Sequence, residues 1–176
     1  NLADAISNGL IDQRVRELEV ADFERGREQT PAERWRRAID EILDEGRGST
    51  ALAVPAIGRA IKEAILYFES ARYQLFAWVV MPNHVHVLLA RFPGYSMGSI
   101  VASWKMHGLY EAKRVLGHTG RFWQREYYDR FIRDQEHFDA ALKYIEENPV
   151  RGRLCASAAD WPFSSAHLLE RDRGKG

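Results

Sequence analysis

Two apolar, β-branched runs, residues 75–81 (LFAWVVM) and 84–92 (HVHVLLARF), are separated only by Pro82 and Asn83. So short a connection between two strand-like segments leaves little choice but an antiparallel hairpin. Side chains alternate across a strand, so His84 and His86 share one face while Val85 and Val87 enter the opposite, apolar layer. Any fold for this chain has to cover both sides of that hairpin.

The flanking segments supply helices. Residues 2–28 are charged, with Ile11, Val15, Leu18 and Phe23 spaced for a helical face. Thr30-Pro31-Ala32-Glu33 reads as a helix start: a hydroxyl cap, proline in the first helical position and glutamate three residues after the cap. That helix is expected to run through Trp35, Ile39, Ile42 and Leu43 and stop at Gly46. Another follows Pro55, with Ile57, Ile61, Ile65 and Phe68 as its stripe, and residues 99–116 return to helical spacing. Residues 122–133 are aromatic and charged and read as a loop leading into a short strand. Residues 134–148 predict a helix that ends at Asn148, because proline at 149 removes a donor and disfavours α geometry before it. Trp161-Pro162-Phe163-Ser164-Ser165 predicts a turn packing back on the body. The order points to an α+β fold, an antiparallel sheet with helices packed on it. The 176 residues fit one domain, with 168–176 expected as a disordered tail.

Composition narrows the function. A single cysteine, Cys155, excludes a disulfide framework and a four-cysteine zinc site and fits a reducing, cytoplasmic setting. No apolar run is long enough for a membrane-spanning helix. The net charge is zero, but residues 1–50 carry eight arginines against twelve acidic residues, and residues 103–133 carry seven basic residues against three acidic ones. Such asymmetry is a hint of a polyanion-facing side.

For the histidine pair, spacing alone leaves two readings open: hydrogen-bonded histidines at a strand start, or two imidazoles sharing a metal. On the last long helix, Phe138, Leu142 and Ile145 form the core stripe. Tyr144 and Asn148 lie one turn apart at its rim, with Ala141 and His137. A boundary tyrosine commonly just packs its ring, and an asparagine before proline commonly just ends a helix. Together with the histidines they form a plausible phosphoryl-transfer site. An ion held by two neutral imidazoles and an amide keeps open positions and its full charge for a phosphate, and a tyrosine with a pKa near 10 needs such help to attack. No Walker-type loop is present, so no nucleotide cofactor is expected.

The motifs carry a resemblance. Residues 81–87 (MPNHVHV) resemble the HUH motif of single-tyrosine, insertion-sequence-200-like transposases, and residues 144–150 (YIEENPV) resemble the tyrosine helix of the REP-associated branch. Residues 122–130 with 132–133 look like that branch's connecting segment, and 161–166 (WPFSSA) like its tail. The resemblance covers about residues 30–167. It implies a ferredoxin-like HUH fold, with His84 and His86 as metal ligands, Asn148 as the third, polar ligand, and magnesium or manganese as the ion. Tyr144 would be the nucleophile that becomes 5′-phosphotyrosine-linked. The implied partner is single-stranded DNA beside imperfect palindromic hairpins, acted on by a monomer or homodimer. Members usually open on an aromatic strand that this chain does not show, so a missing N-terminal strand is expected.

Tyr127 and Tyr128 compete for the nucleophile role but have no polar partner one helical turn on. His137 is a reserve ligand, whereas His107, His118 and His167 read as surface side chains. Lys105, Arg121, Arg125, Arg130 and Arg133 are candidate phosphate contacts. The alternatives are a nuclease using metal-activated water and a non-catalytic hairpin-DNA-binding module.

Overall fold

The structure is a computed structural model and describes residues 8–44, 49–124 and 127–173. Its centre is the expected hairpin. Strand β1 (Tyr73–Val80) pairs antiparallel with β2 (Val85–Arg91), with Val80 opposite Val85 and Val79 opposite His86. The Met81 N–H donates to the His84 carbonyl at 2.9 Å, closing the turn over Pro82 and Asn83. The register shifts between Leu75 and Ala77. That bulge puts Phe76 and Ala77 on one side together, while Leu75 and Trp78 face the other.

Each face of the hairpin has its own helices. One side receives α3 (Pro55–Tyr67) and α4 (Met97–Leu116), burying Ile57, Ile61, Ile65, Ile100 and Trp104 against Tyr73, Trp78 and Val80. Phe68 follows as the α3 C-cap and is half-buried. The two helices come close at Gly108, where an added Cβ would stand 2.8 Å from the Trp123 ring and 3.0 Å from Ile61. A buried polar chain ties this layer together: Trp104 Nε1–H donates to the Tyr73 hydroxyl (3.0 Å), which donates to the Ile65 carbonyl (2.7 Å). The other side receives α5 (Gln135–Arg151), whose Phe138, Leu142 and Ile145 pack on Ala77, Val79, Met81 and Leu88. The architecture is α+β, with an antiparallel pair of strands between helical layers.

Helix α5 corrects an expectation. It does not stop at Asn148 but carries Pro149 inside and runs to Arg151. Proline costs one backbone bond, yet the end is closed around it: Gly152 N–H donates to Asn148 O at 2.8 Å and Leu154 N–H to Pro149 O at 2.9 Å. Pro149 itself is buried. The described part of residues 122–133 forms no strand and is irregular.

The segment after α5 packs as expected, and more specifically. Phe163 O accepts from Val80 N (2.8 Å), Trp161 Nε1 donates to Val80 O (2.9 Å), and Trp78 N donates to Ser165 Oγ (3.1 Å). This stretch thereby covers the outer edge of β1. Helix α6 (Ser165–Arg173) then begins, where a disordered tail from 168 was expected; Leu168 holds it against the core.

Helices α1 (Asn8–Glu24) and α2 (Pro31–Asp44) form a pair with a small core of Ile11, Leu18, Ala38, Ile39 and Ile42. The start of α2 is the capping box read from sequence: Glu33 accepts from Thr30 N (2.9 Å), and Thr30 Oγ1 accepts from Glu33 N (3.2 Å). Phe23 does not join this core; it is 88% exposed at the end of α1. The expected stop at Gly46 lies outside the described residues.

Candidate active site

His84 and His86 meet as the strand alternation requires. Their Nε2 atoms stand 2.9 Å apart, with the rings edge to face. His84 is buried and His86 half-buried. On the far side of the His84 ring, Nδ1 lies 2.8 Å from Asn83 Oδ1. Convergent Nε2 atoms with an oxygen on the outer nitrogen are the arrangement in which imidazoles bind metal ions. The donor set therefore fits a divalent cation. Among the described residues no cluster of three His, Cys, Asp or Glu side chains gathers. A third protein ligand drawn from them would be of another type, such as an amide.

Tyr144 reaches this pair because α5 lies across β2. Its ring packs on His86 with centroids 5.4 Å apart, and it is half-buried. Asn148, one turn on, is 1% exposed. The Arg151 guanidinium lies 4.7 Å from the Tyr144 ring centroid. Residue 151 is seven positions after 144, two turns along the same face. That signal was available, but a helix ending at 148 hides it. Asn83 was missed as well, having been read only as a turn residue.

A groove of about 260 Å³ opens from the histidine pair, with Trp104, Trp123, Tyr127 and Tyr128 among its walls. Tyr128 packs edge-on against Trp35 (5.4 Å). Lys105 is on the same groove, but its Nζ donates to the Gln124 carbonyl (2.9 Å) and holds the 122–124 segment. Arg121, Arg130 and Arg133 are exposed, Arg133 within 3.2 Å of Glu33; Arg125 lies outside the described residues. His137 accepts from the Arg133 N–H (3.4 Å) at the start of α5. His107 is exposed, whereas His118 packs near Phe122 and His167 Nδ1 lies 2.6 Å from the Ala159 carbonyl, both half-buried. Cys155 is half-buried too, and burial pushes its thiol up from the usual range.

Comparison with known proteins bears on this arrangement. A solved structure of a REP-associated tyrosine transposase bound to a REP hairpin superposes with a TM-score of 0.56 at 25% identity, over 68% of this chain and 70% of that one. A REP-associated tyrosine transposase of Escherichia coli (strain K12) is 28% identical over 120 residues, which is 66% of this chain and 67% of that protein. A Haemophilus influenzae relative is 25% identical over 105 residues, 54% of this chain and 60% of its own length. Residues 56–148, from the start of α3 through the histidine hairpin to Asn148, match the family described as transposase IS200 like. The chain belongs to the IS200-like transposase family.

Proposed function

We propose that the chain cleaves and transfers single-stranded DNA beside palindromic, REP-like hairpins, acting as one catalytic domain of the HUH type. The observation that carries this reading is the meeting of three side chains from two elements: His84 and His86 with Nε2 atoms 2.9 Å apart, and the Tyr144 ring against His86. A hydroxyl nucleophile beside a convergent imidazole pair is what in-line attack on a phosphodiester needs.

His84, His86 and Asn148 would hold Mg²⁺ or Mn²⁺, which when bound supplies a positive charge for the non-bridging phosphate oxygens. The remaining work falls to the chain. Tyr144 Oη gives up its proton and bonds to phosphorus, and the bond from phosphorus to the 3′ oxygen breaks, leaving a 3′-hydroxyl and a 5′-phosphotyrosine. Because a phosphodiester is exchanged for another of the same kind, no nucleotide cofactor is consumed. Arg151, over the Tyr144 ring, favours negative charge on the departing phenol proton's oxygen. The groove with Trp123, Tyr127 and Tyr128 offers flat rings for unpaired bases, and Arg121, Arg125, Arg130 and Arg133 are proposed for the phosphates. A DNA substrate puts this work in the cytoplasm, by a monomer or homodimer. No helix among the described residues is long and apolar enough to cross a membrane.

The test is a labelled single-stranded REP-like hairpin incubated with Mn²⁺ and run on a denaturing gel. A slow-migrating covalent adduct is expected, absent with chelator and in Tyr144→Phe. Cleavage unchanged in Tyr144→Phe and without adduct would point to attack by water instead, and binding with no cleavage to a non-catalytic module.

A further inference from the structure

Asn83 joins two parts of the chain that the reaction chemistry does not otherwise connect. Its Nδ2 donates to the carbonyl of Leu43, in the last turn of α2, at 2.9 Å. Its Oδ1 lies 2.8 Å from Nδ1 of His84. A backbone carbonyl only accepts hydrogen bonds, so the Leu43 contact determines which end of the Asn83 amide is NH₂. The amide oxygen is thereby turned toward His84. That oxygen also only accepts, so His84 Nδ1 must carry the proton of that bond. In a neutral imidazole the other nitrogen is then bare. Nε2 of His84 is that nitrogen, and it faces Nε2 of His86 at 2.9 Å.

We infer that Asn83 is a positioning residue, oriented by the Leu43 carbonyl of α2, that fixes His84 in the Nδ1–H tautomer and so presents a bare Nε2 to a divalent cation. The α1–α2 pair, forty residues upstream, thus takes part in preparing the site rather than only packing beside it. The role toward metal rests on the function proposed above; the tautomer itself does not.

The experiment uses the full chain in two measurements. Long-range proton–nitrogen NMR correlation on the metal-free protein reads the protonated nitrogen of His84, and electron paramagnetic resonance titration reads Mn²⁺ affinity. The native chain is expected to show His84 protonated at Nδ1. In Asn83→Ala the ring is expected to populate both tautomers and Mn²⁺ affinity to fall about 10–100-fold, as is usual when the partner of a ligating histidine is removed. An Nε2–H tautomer in the native chain overturns the proposal, as does native Mn²⁺ affinity in a folded Asn83→Ala protein. Should that variant not fold, the native tautomer decides alone. A native chain that binds no Mn²⁺ but shows Nδ1–H on His84 overturns the metal reading of the previous section and supports the Asn83 link.

Discussion

The guanidinium of Arg151 lies 4.7 Å from the ring centroid of Tyr144, two helical turns back on α5. The contact exists only because the helix continues through Pro149 to residue 151. A cation on an aromatic face at an exposed position is worth about 0.5–1 kcal/mol, and it also favours the phenolate over the phenol.

Replacing Arg151 by glutamine should therefore slow adduct formation roughly 2–5-fold, since each 1.36 kcal/mol is tenfold in rate. Single-turnover rates measured with saturating hairpin DNA check this. An unchanged rate would mean that the guanidinium only covers the ring.

Asp22 is the buried charge of the α1–α2 pair, 1% exposed, with Arg37 Nη1 at 2.8 Å and Arg34 Nε at 3.7 Å. Asp22→Ala leaves two arginines without their shared partner. The cost should be about 1.5–3 kcal/mol, the range for losing hydrogen bonds to a charged group rather than for stranding a buried charge, because Arg34 keeps Glu19 at 3.2 Å and Arg37 keeps Glu41 at 3.1 Å. Hydrogen exchange should show the loss in α1 and α2, with β1 and β2 protected as before. Equal loss of protection in the hairpin would mean that the two parts unfold together.

Gly108→Ala tests the packing of α4 on α3 at Gly108. The new methyl would stand 2.8 Å from the Trp123 ring and 3.0 Å from Ile61, and Trp123 is held by its Nε1–H bond to the Lys105 carbonyl at 2.7 Å. Overpacking of this kind costs typically 1–3 kcal/mol, against a gain of up to about 1 kcal/mol in helix propensity. A net loss of stability on urea unfolding is expected. A more stable protein would show that Trp123 moves aside freely.

Glu33 provides a pH-dependent contribution. Hydrogen bonds from the Thr30 N–H and hydroxyl hold its carboxyl below the usual range. A depressed folded-state pKa means that the stabilisation is present above the usual carboxylate range and lost as the pH falls through the depressed value. The native chain should thus have a higher Tm than Glu33→Gln at neutral pH, and the two should converge in acid. A gap that persisted at low pH would place the effect elsewhere than in the ionised carboxylate.

Much of the site can be read locally. His84 and His86 share a face because strand side chains alternate, and nothing distant can change that without moving the register. Tyr144 and Asn148 share a face for the same reason in helical period, and Thr30 with Glu33 makes a cap within four residues. The failures are equally physical. Pro149 was expected to end α5, but the helix runs on to Arg151 and its end is closed by the bonds from Gly152 to Asn148 O and from Leu154 to Pro149 O. Phe23 has helical spacing and still faces solvent, because α2 offers it no partner surface. Residues 122–133 have strand-like composition but form no strand in their described part.

By itself the sequence determined the hairpin, the adjacency of its two histidines, the tyrosine face of α5 and the start of α2. Each of these depends on bonds or side-chain periods spanning a few residues. Tertiary structure alone decided how the Asn83 amide is oriented beside His84, since its Nδ2 donates to the Leu43 carbonyl forty residues away. It also brought Tyr144 onto His86 and laid residues 161–165 along β1. These contacts depend on how whole elements pack, and local preferences carry no information about the partner an element will meet.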